Sequence, residues 1–181
     1  MKVKPILQVL LLTLGTALLL AYLTRPGGPL LGNSSPVSAA IFDAEREQPV
    51  ELTDDNLVDG LKTLELPAPI AKVGLDGRIL SVDLRVTEER FDKSELYGGM
   101  AELISFSFKR TSNIDRLLLR LIAEDRWLGT KYLLLAADVR RGDWPDSALG
   151  ALRNAGDGEL PRELKEWLRM TETHLWKSKV N

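Results

Sequence analysis

The chain contains no cysteine and a single histidine, His174. Without thiols there is no disulfide framework, no thiolate nucleophile, no cysteine zinc site and no lipid carried on sulfur. One imidazole leaves no spare base for a serine triad and no multi-histidine metal centre. A Gly-x-Ser-x-Gly elbow, a phosphate-binding Gly-Lys-Ser/Thr loop, a His-Glu-x-x-His pair and an EF-hand calcium loop are all missing. The expectation is therefore no catalytic, no cofactor-binding and no metal-binding residues. Positive charge is also in deficit in the body of the chain. Of 24 Lys and Arg, Lys2, Lys4 and Arg25 lie in the first 40 residues, which hold none of the 26 Asp and Glu. The remainder is acidic, which argues against a nucleic-acid partner.

What is present suffices for one packed domain with an appendage: 181 residues, 44% hydrophobic and 28% charged. Ile6 to Leu23 is an 18-residue uncharged run, about 27 Å long as a helix and close to the thickness of a bilayer core. Lys2 and Lys4 precede it, so the positive-inside rule places the amino terminus in the cytoplasm and the rest outside. A cleaved signal peptide is the competing reading. It would need a small-x-small site just past the apolar run, whereas Val37-Ser38-Ala39 lies well beyond Leu23. An uncleaved signal anchor over residues 1–23 fits better, giving a single-pass cell-membrane protein with an extracytoplasmic carboxy-terminal domain. A soluble core helix fits worst. Thr13, Ala17 and Ala21 form a small-residue stripe through which two anchors could pair as a homodimer, although small residues are also common in membrane helices.

Residues 24–40, with Arg25-Pro26-Gly27-Gly28-Pro29 and Gly32-Asn33-Ser34-Ser35-Pro36, read as a flexible Gly/Pro/Ser tether. Residues 41–181 read as one α+β domain. Thr53 caps a helix over 54–65 whose Leu57, Val58, Leu61 and Leu64 share a face, and Pro67 and Pro69 end it. Ile70 to Leu75, Asp76-Gly77 and Ile79 to Val86 read as a hairpin. Asp92 with Glu95 makes a capping-box start for the next helix, and Gly98 and Gly99 within it suggest close packing on a sheet. Ile114 to Ala123 and Lys131 to Val139 are read as antiparallel strands, although their Leu and Ala content also permits helix. A short helix from Trp144 to Arg153 follows. A last helix runs from Pro161 to Trp176, with Leu164, Trp167, Leu168, Thr171 and Leu175 as its apolar stripe. The order is helix, strand, strand, helix, strand, strand, then two carboxy-terminal helices on a mostly antiparallel sheet.

Carboxylate clusters at Asp54-Asp55, Glu88-Glu89, Glu124-Asp125 and Asp143/Asp146 could serve glycan hydrolysis, but they sit at helix starts and turns where acids cap and solvate. Arg140 and Arg141, with Arg116, Arg120 and Arg126, could meet an anionic polymer or pair with nearby acids. Trp127 and Trp144 stand at strand and helix ends. They join Arg140 and Arg141 as candidate partner contacts. Trp176, Lys177 and Lys179 are candidate membrane-interface residues.

The strand Asp76-Gly77-Arg78-Ile79-Leu80-Ser81-Val82-Asp83-Leu84, the helix Glu95 to Phe108 with Thr111, and Ile114-Asp115-Arg116-Leu117 carry a resemblance. Over about residues 53–122 the chain resembles the GerMN-type domain of bacterial sporulation and spore-germination proteins. The resemblance implies a non-catalytic extracytoplasmic domain acting in envelope assembly or germination, and it brings no catalytic residues. The expected function is a membrane-anchored interaction protein that binds another envelope protein. The alternative is a protein that binds or hydrolyses wall polymer through its acidic or Arg residues.

Overall fold

The computed structural model describes residues 48–86, 91–125 and 127–178. The expected anchor (6–23), its Thr13/Ala17/Ala21 stripe, the tether, Glu88-Glu89, Arg126 and Lys179 lie outside these residues. Among the described residues no helix is long and apolar enough to cross a membrane.

The α+β expectation holds at the level of class. The chain runs α1 (Asp54–Lys62), β1 (Ile70–Asp76), β2 (Ile79–Val86), α2 (Lys93–Ser105) and a π-helical turn (Phe106–Arg110). It continues through β3 (Arg116–Glu124), β4 (Lys131–Arg140), α3 (Ser147–Arg153), α4 (Arg162–Trp167), β5 (Thr171–Glu172) and α5 (His174–Ser178). The strands form one sheet in the order β1-β2-β3-β4-β5. Three of its neighbouring pairs are antiparallel, and β2 and β3 are parallel over eight residue pairs from Ile79↔Arg116 to Val86↔Ala123. A parallel pair needs a crossover from one end of the sheet to the other. That crossover is α2 with its π turn, so the sheet is mixed.

Local chemistry explains the elements. In the β1–β2 hairpin Asp76 pairs with Ile79, so the two turn residues are Gly77 and Arg78. Gly77 takes φ +56°, the conformation that favours glycine at the first central position of a tight hairpin. The Asp92 side chain accepts the Glu95 backbone N–H at 3.1 Å and starts α2 as expected. At α1 the Thr53 N–H donates to Asn56 Oδ1 at 2.8 Å. Leu57 and Leu61 are buried there, while Val58, expected on the same face, is half exposed.

Alternation sets the layers. Leu80, Val82, Leu84 and Val86 of β2 face the same way as Leu117, Leu119 and Leu121 of β3 and Leu135, Ala137 and Val139 of β4, and all are buried. They form one core with Leu57, Leu96, Met100, Leu149, Leu164 and Trp176, so all five described helices contribute to it. Ile79, Leu118, Ile122 and Leu133, on the opposite pleat, do not belong to it. Helices cover one face, and among the described residues none packs on the other.

The carboxy terminus departs from expectation. The single helix over 161–176 is instead α4, a turn, the two-residue strand β5 and α5. Arg169 adopts φ +46°, a left-handed conformation that stops α4. Leu175, expected on the apolar stripe, is exposed as a result, and Trp176 turns inward.

Gly99 shows how tightly α2 is held. A Cβ there would lie 2.5 Å from Pro67 Cδ, whereas a Cβ on Gly98 would meet nothing within 4 Å. The close approach is to the α1–β1 connection, not to the sheet. Gly99→Ala is expected to destabilise the domain by about 1–3 kcal/mol through overpacking against a rigid ring. Gly98→Ala is expected to stabilise it by up to about 1 kcal/mol through helix propensity. Thermal unfolding of the two variants checks both signs.

Candidate functional site

The uncovered sheet face and the β3–β4 loop at its end are the parts of the domain that present unusual chemistry outward. Parity and register place Lys72, Asp76, Ser81, Asp83, Arg85, Arg116, Arg120, Glu124, Lys131, Asp138 and Arg140 on that face. It carries six Lys and Arg against four Asp and Glu, although residues 41–181 as a whole are acidic.

Three of the four carboxylates of this face are already engaged. Arg120 forks onto Asp83 with two 2.7 Å hydrogen bonds, and Arg116 forks likewise onto Asp138. Arg85 lies 3.5 Å from Glu124. Asp83 is only 6% exposed beneath its arginine. The hydrogen bonds from Arg116 hold the Asp138 carboxyl below the usual range, helped by the charges of Arg116, Arg140 and Arg169. With Arg85, Arg116 and Arg120 paired to these acids, Lys72, Lys131 and Arg140 against Asp76 set the face's outward charge. Asp143, another acid considered for hydrolysis, accepts from Arg169 at 2.6 Å.

The β3–β4 loop is built around Asp125. Its Oδ1 accepts the N–H of Trp127 at 2.8 Å and of Leu128 at 2.7 Å. These same amides, Leu128 first, hold its carboxyl below the usual range. The Asp125 N–H donates to the Thr130 carbonyl and the Gly129 N–H to the Asp125 carbonyl, both at 2.9 Å. Gly129 takes φ +64°, which closes the loop. The N–H groups of Trp127, Leu128 and Gly129 are therefore bonded within the loop, while Trp127 is 90% and Leu128 79% exposed. Tyr132 and Leu133, successive residues on opposite pleats, are also half exposed.

Of the four expected partner contacts, Trp127, Arg140 and Arg141 are at the surface. Trp144 is not a free surface: it packs against the core, its ring 6.1 Å from that of Phe108. Its Nε1 is buried without a hydrogen-bond partner. Arg141 is committed to the backbone. Its guanidinium donates to the carbonyls of Phe108 at 2.6 Å, Ile114 at 2.8 Å and Thr111 at 2.9 Å. It lies over the Phe108 ring as well. The wide π turn frees carbonyls that a regular helix would bond, and one fork of N–H donors collects them.

Trp176 is corrected outright. It is 1% exposed, stacked on Phe91 at 5.3 Å and edge-on to Tyr97 at 5.7 Å, with Lys93 Nζ 4.9 Å from its ring centre. The β5 turn swings α5 onto α2 and puts this ring in the core instead of at a membrane interface. Burial beside it pushes the Tyr97 hydroxyl up to about 12. Lys177 is exposed. His174 is exposed too, and among the described residues no group of three or more His, Asp or Glu is placed to hold a metal.

Leu128, Tyr132, Leu133 and the two arginine forks are the surface features that sequence reasoning missed. The signal for the loop was Asp125 four residues before Gly129, a turn frame that leaves the residues between them outside. No family model, curated protein or solved structure matches the chain.

Two outcomes are expected. Trp144→Phe removes the orphaned N–H but also the indole's second ring, so relief of the unbonded donor offsets lost packing and denaturant unfolding should show a change within about 1 kcal/mol, far less than Trp144→Ala. A folded-state carboxyl held low contributes stability above its unfolded pKa of about 4 and loses it as pH falls through the lower folded value. Stability measured against pH should thus fall more steeply below about pH 4 in the parent chain than in Asp138→Asn, the gap between them narrowing in acid.

Proposed function

We propose that the chain is a membrane-anchored, non-catalytic interaction protein of the bacterial envelope, whose extracytoplasmic domain receives another envelope protein on the open face of its sheet. The observation that supports it is one-sided packing. Among the described residues helices and core lie on one face, and the other presents cation-rich strands most of whose carboxylates are already paired. Such a face attracts an acidic partner by its field and offers little preformed machinery for bond cleavage. Membrane attachment rests on the uncharged run from Ile6 to Leu23. The resemblance of residues 53–122 to the GerMN-type domain adds sporulation or germination as the setting.

An anionic wall polymer is the second reading. The same excess of Lys and Arg favours it, through binding and not through hydrolysis.

A photo-cross-linking residue in place of Arg140 in the full-length protein, illuminated in native membranes, tests the proposal. The expected result is one recurrent protein adduct that is lost when the cross-linker replaces Lys62 on α1 instead. Capture of wall polymer from position 140 would move the assignment to the second reading. Identical adducts from both positions would sink the idea of a specific face.

A further inference from the structure

The apex of the β3–β4 hairpin has a shape and chemistry different from the sheet face behind it. Trp127 and Leu128 are adjacent and almost bare, on a loop whose amides turn inward to Asp125. Behind them Tyr132 widens the apolar cap on one pleat and Leu133 on the other. Apolar groups thus surround the tip instead of facing one way. A protein partner docked on a flat patch buries about 800 Å² per side. Two large side chains on a convex loop offer far less, with Trp itself contributing about 250 Å² at most.

A lipid interface sets different demands, and this tip meets them. The polar backbone must be satisfied before it leaves water, since unpaired groups cost several kcal/mol in hydrocarbon. Here Asp125 accepts the N–H groups of Trp127 and Leu128, which leaves only their carbonyls to the headgroup layer and its water. Trp and Tyr favour the headgroup level, with Leu below it. Cations should stand at the base and carboxylates should be occupied. Lys131 opens β4 beside the loop, Glu124 lies near Arg85, and Asp125 is turned back onto the amides.

We infer that the β3–β4 tip is a second membrane contact, which dips Trp127 and Leu128 into the headgroup layer of the bilayer that carries the anchor. This inference rests on the membrane-anchored reading above. Two side chains alone bind a bilayer weakly, and a tether that holds the domain at high local concentration makes the contact effective. The domain is thereby held in a defined attitude, attached at its amino end and at one corner of the sheet.

The absence of native cysteine makes the test clean. The full-length chain with Leu128→Cys carries an environment-sensitive fluorophore and is reconstituted into vesicles of zwitterionic phospholipid with about a quarter anionic lipid. A control chain carries the same label through Glu163→Cys, at an exposed position in the first turn of α4. Flotation reports the anchor, and quenching by aqueous iodide reports the tip. The expected result is co-flotation of both chains, with quenching roughly threefold or more weaker at position 128 than at 163. Adding Trp127→Ser to the Leu128→Cys chain should restore most of the quenching. Co-flotation with equal quenching at the two positions would overturn the tip contact and leave the anchor intact. A chain that fails to float would overturn the anchored reading and, with it, this inference. If quenching at 128 equals that at 163 in vesicles but is lower only in native membranes, the tip meets a protein and the lipid assignment falls.

Discussion

The parallel pairing of β2 with β3 is the constraint from which the rest of the architecture follows. Eight residue pairs run in register, and two parallel neighbours can be joined only by a segment that travels the length of the sheet. Lys93 to Arg110 does this as α2 and its π turn. Once that crossover occupies one face, the buried leucines of β2, β3 and β4 must point towards it. The later helices then find their apolar partners on the same side. The opposite pleat mixes charged residues with Ile79, Leu118, Ile122 and Leu133.

The crossover is locked at both ends by side chains that look like surface groups. At its carboxy end the guanidinium of Arg141 gathers carbonyls of Phe108, Thr111 and Ile114, so the turn into β3 is tied to the end of β4. At its amino end Trp176 lies between Phe91 and Tyr97 beneath Lys93, which ties the last helix to the first turns of α2. Gly99 permits the α1–β1 connection to approach from the side. A charged fork and an indole thus do here what hydrophobic packing alone does in the centre of the sheet.

The open face and the hairpin apex divide the outward chemistry between them. On the face, charges are paired across strands with cations in excess, which suits an extended polar partner. The apex exposes apolar side chains over amides bonded within the loop, which suits a soft interface. Because both lie on β3 and β4, contact at the apex would fix how the face is presented. The two proposed contacts are mechanically one device.

Much of this was legible in the sequence, and the reason is local. Hairpin geometry at Gly77, the Asp92 cap and the alternation of Ile79–Val86 depend on residues within a few positions of one another, and backbone sterics with period-two burial decide them without help. The single long helix expected at 161–176 failed because its apolar spacing was compatible with helix, whereas Arg169 in a left-handed conformation and pairing of Thr171 with Ala136 are imposed by β4. The roles of Trp144, Arg141 and Trp176 were illegible for the same reason: an indole or a guanidinium is equally at home on a surface or over a core. The partner that chooses between those places, Phe108, the carbonyls of the π turn, or Phe91, lies 33 to 85 residues away in the chain. Sequence by itself determined the elements up to about Arg153 and the absence of thiol and multi-histidine chemistry. Tertiary structure decided which face stays open and which aromatics reach solvent, because only long-range packing determines what covers a side chain.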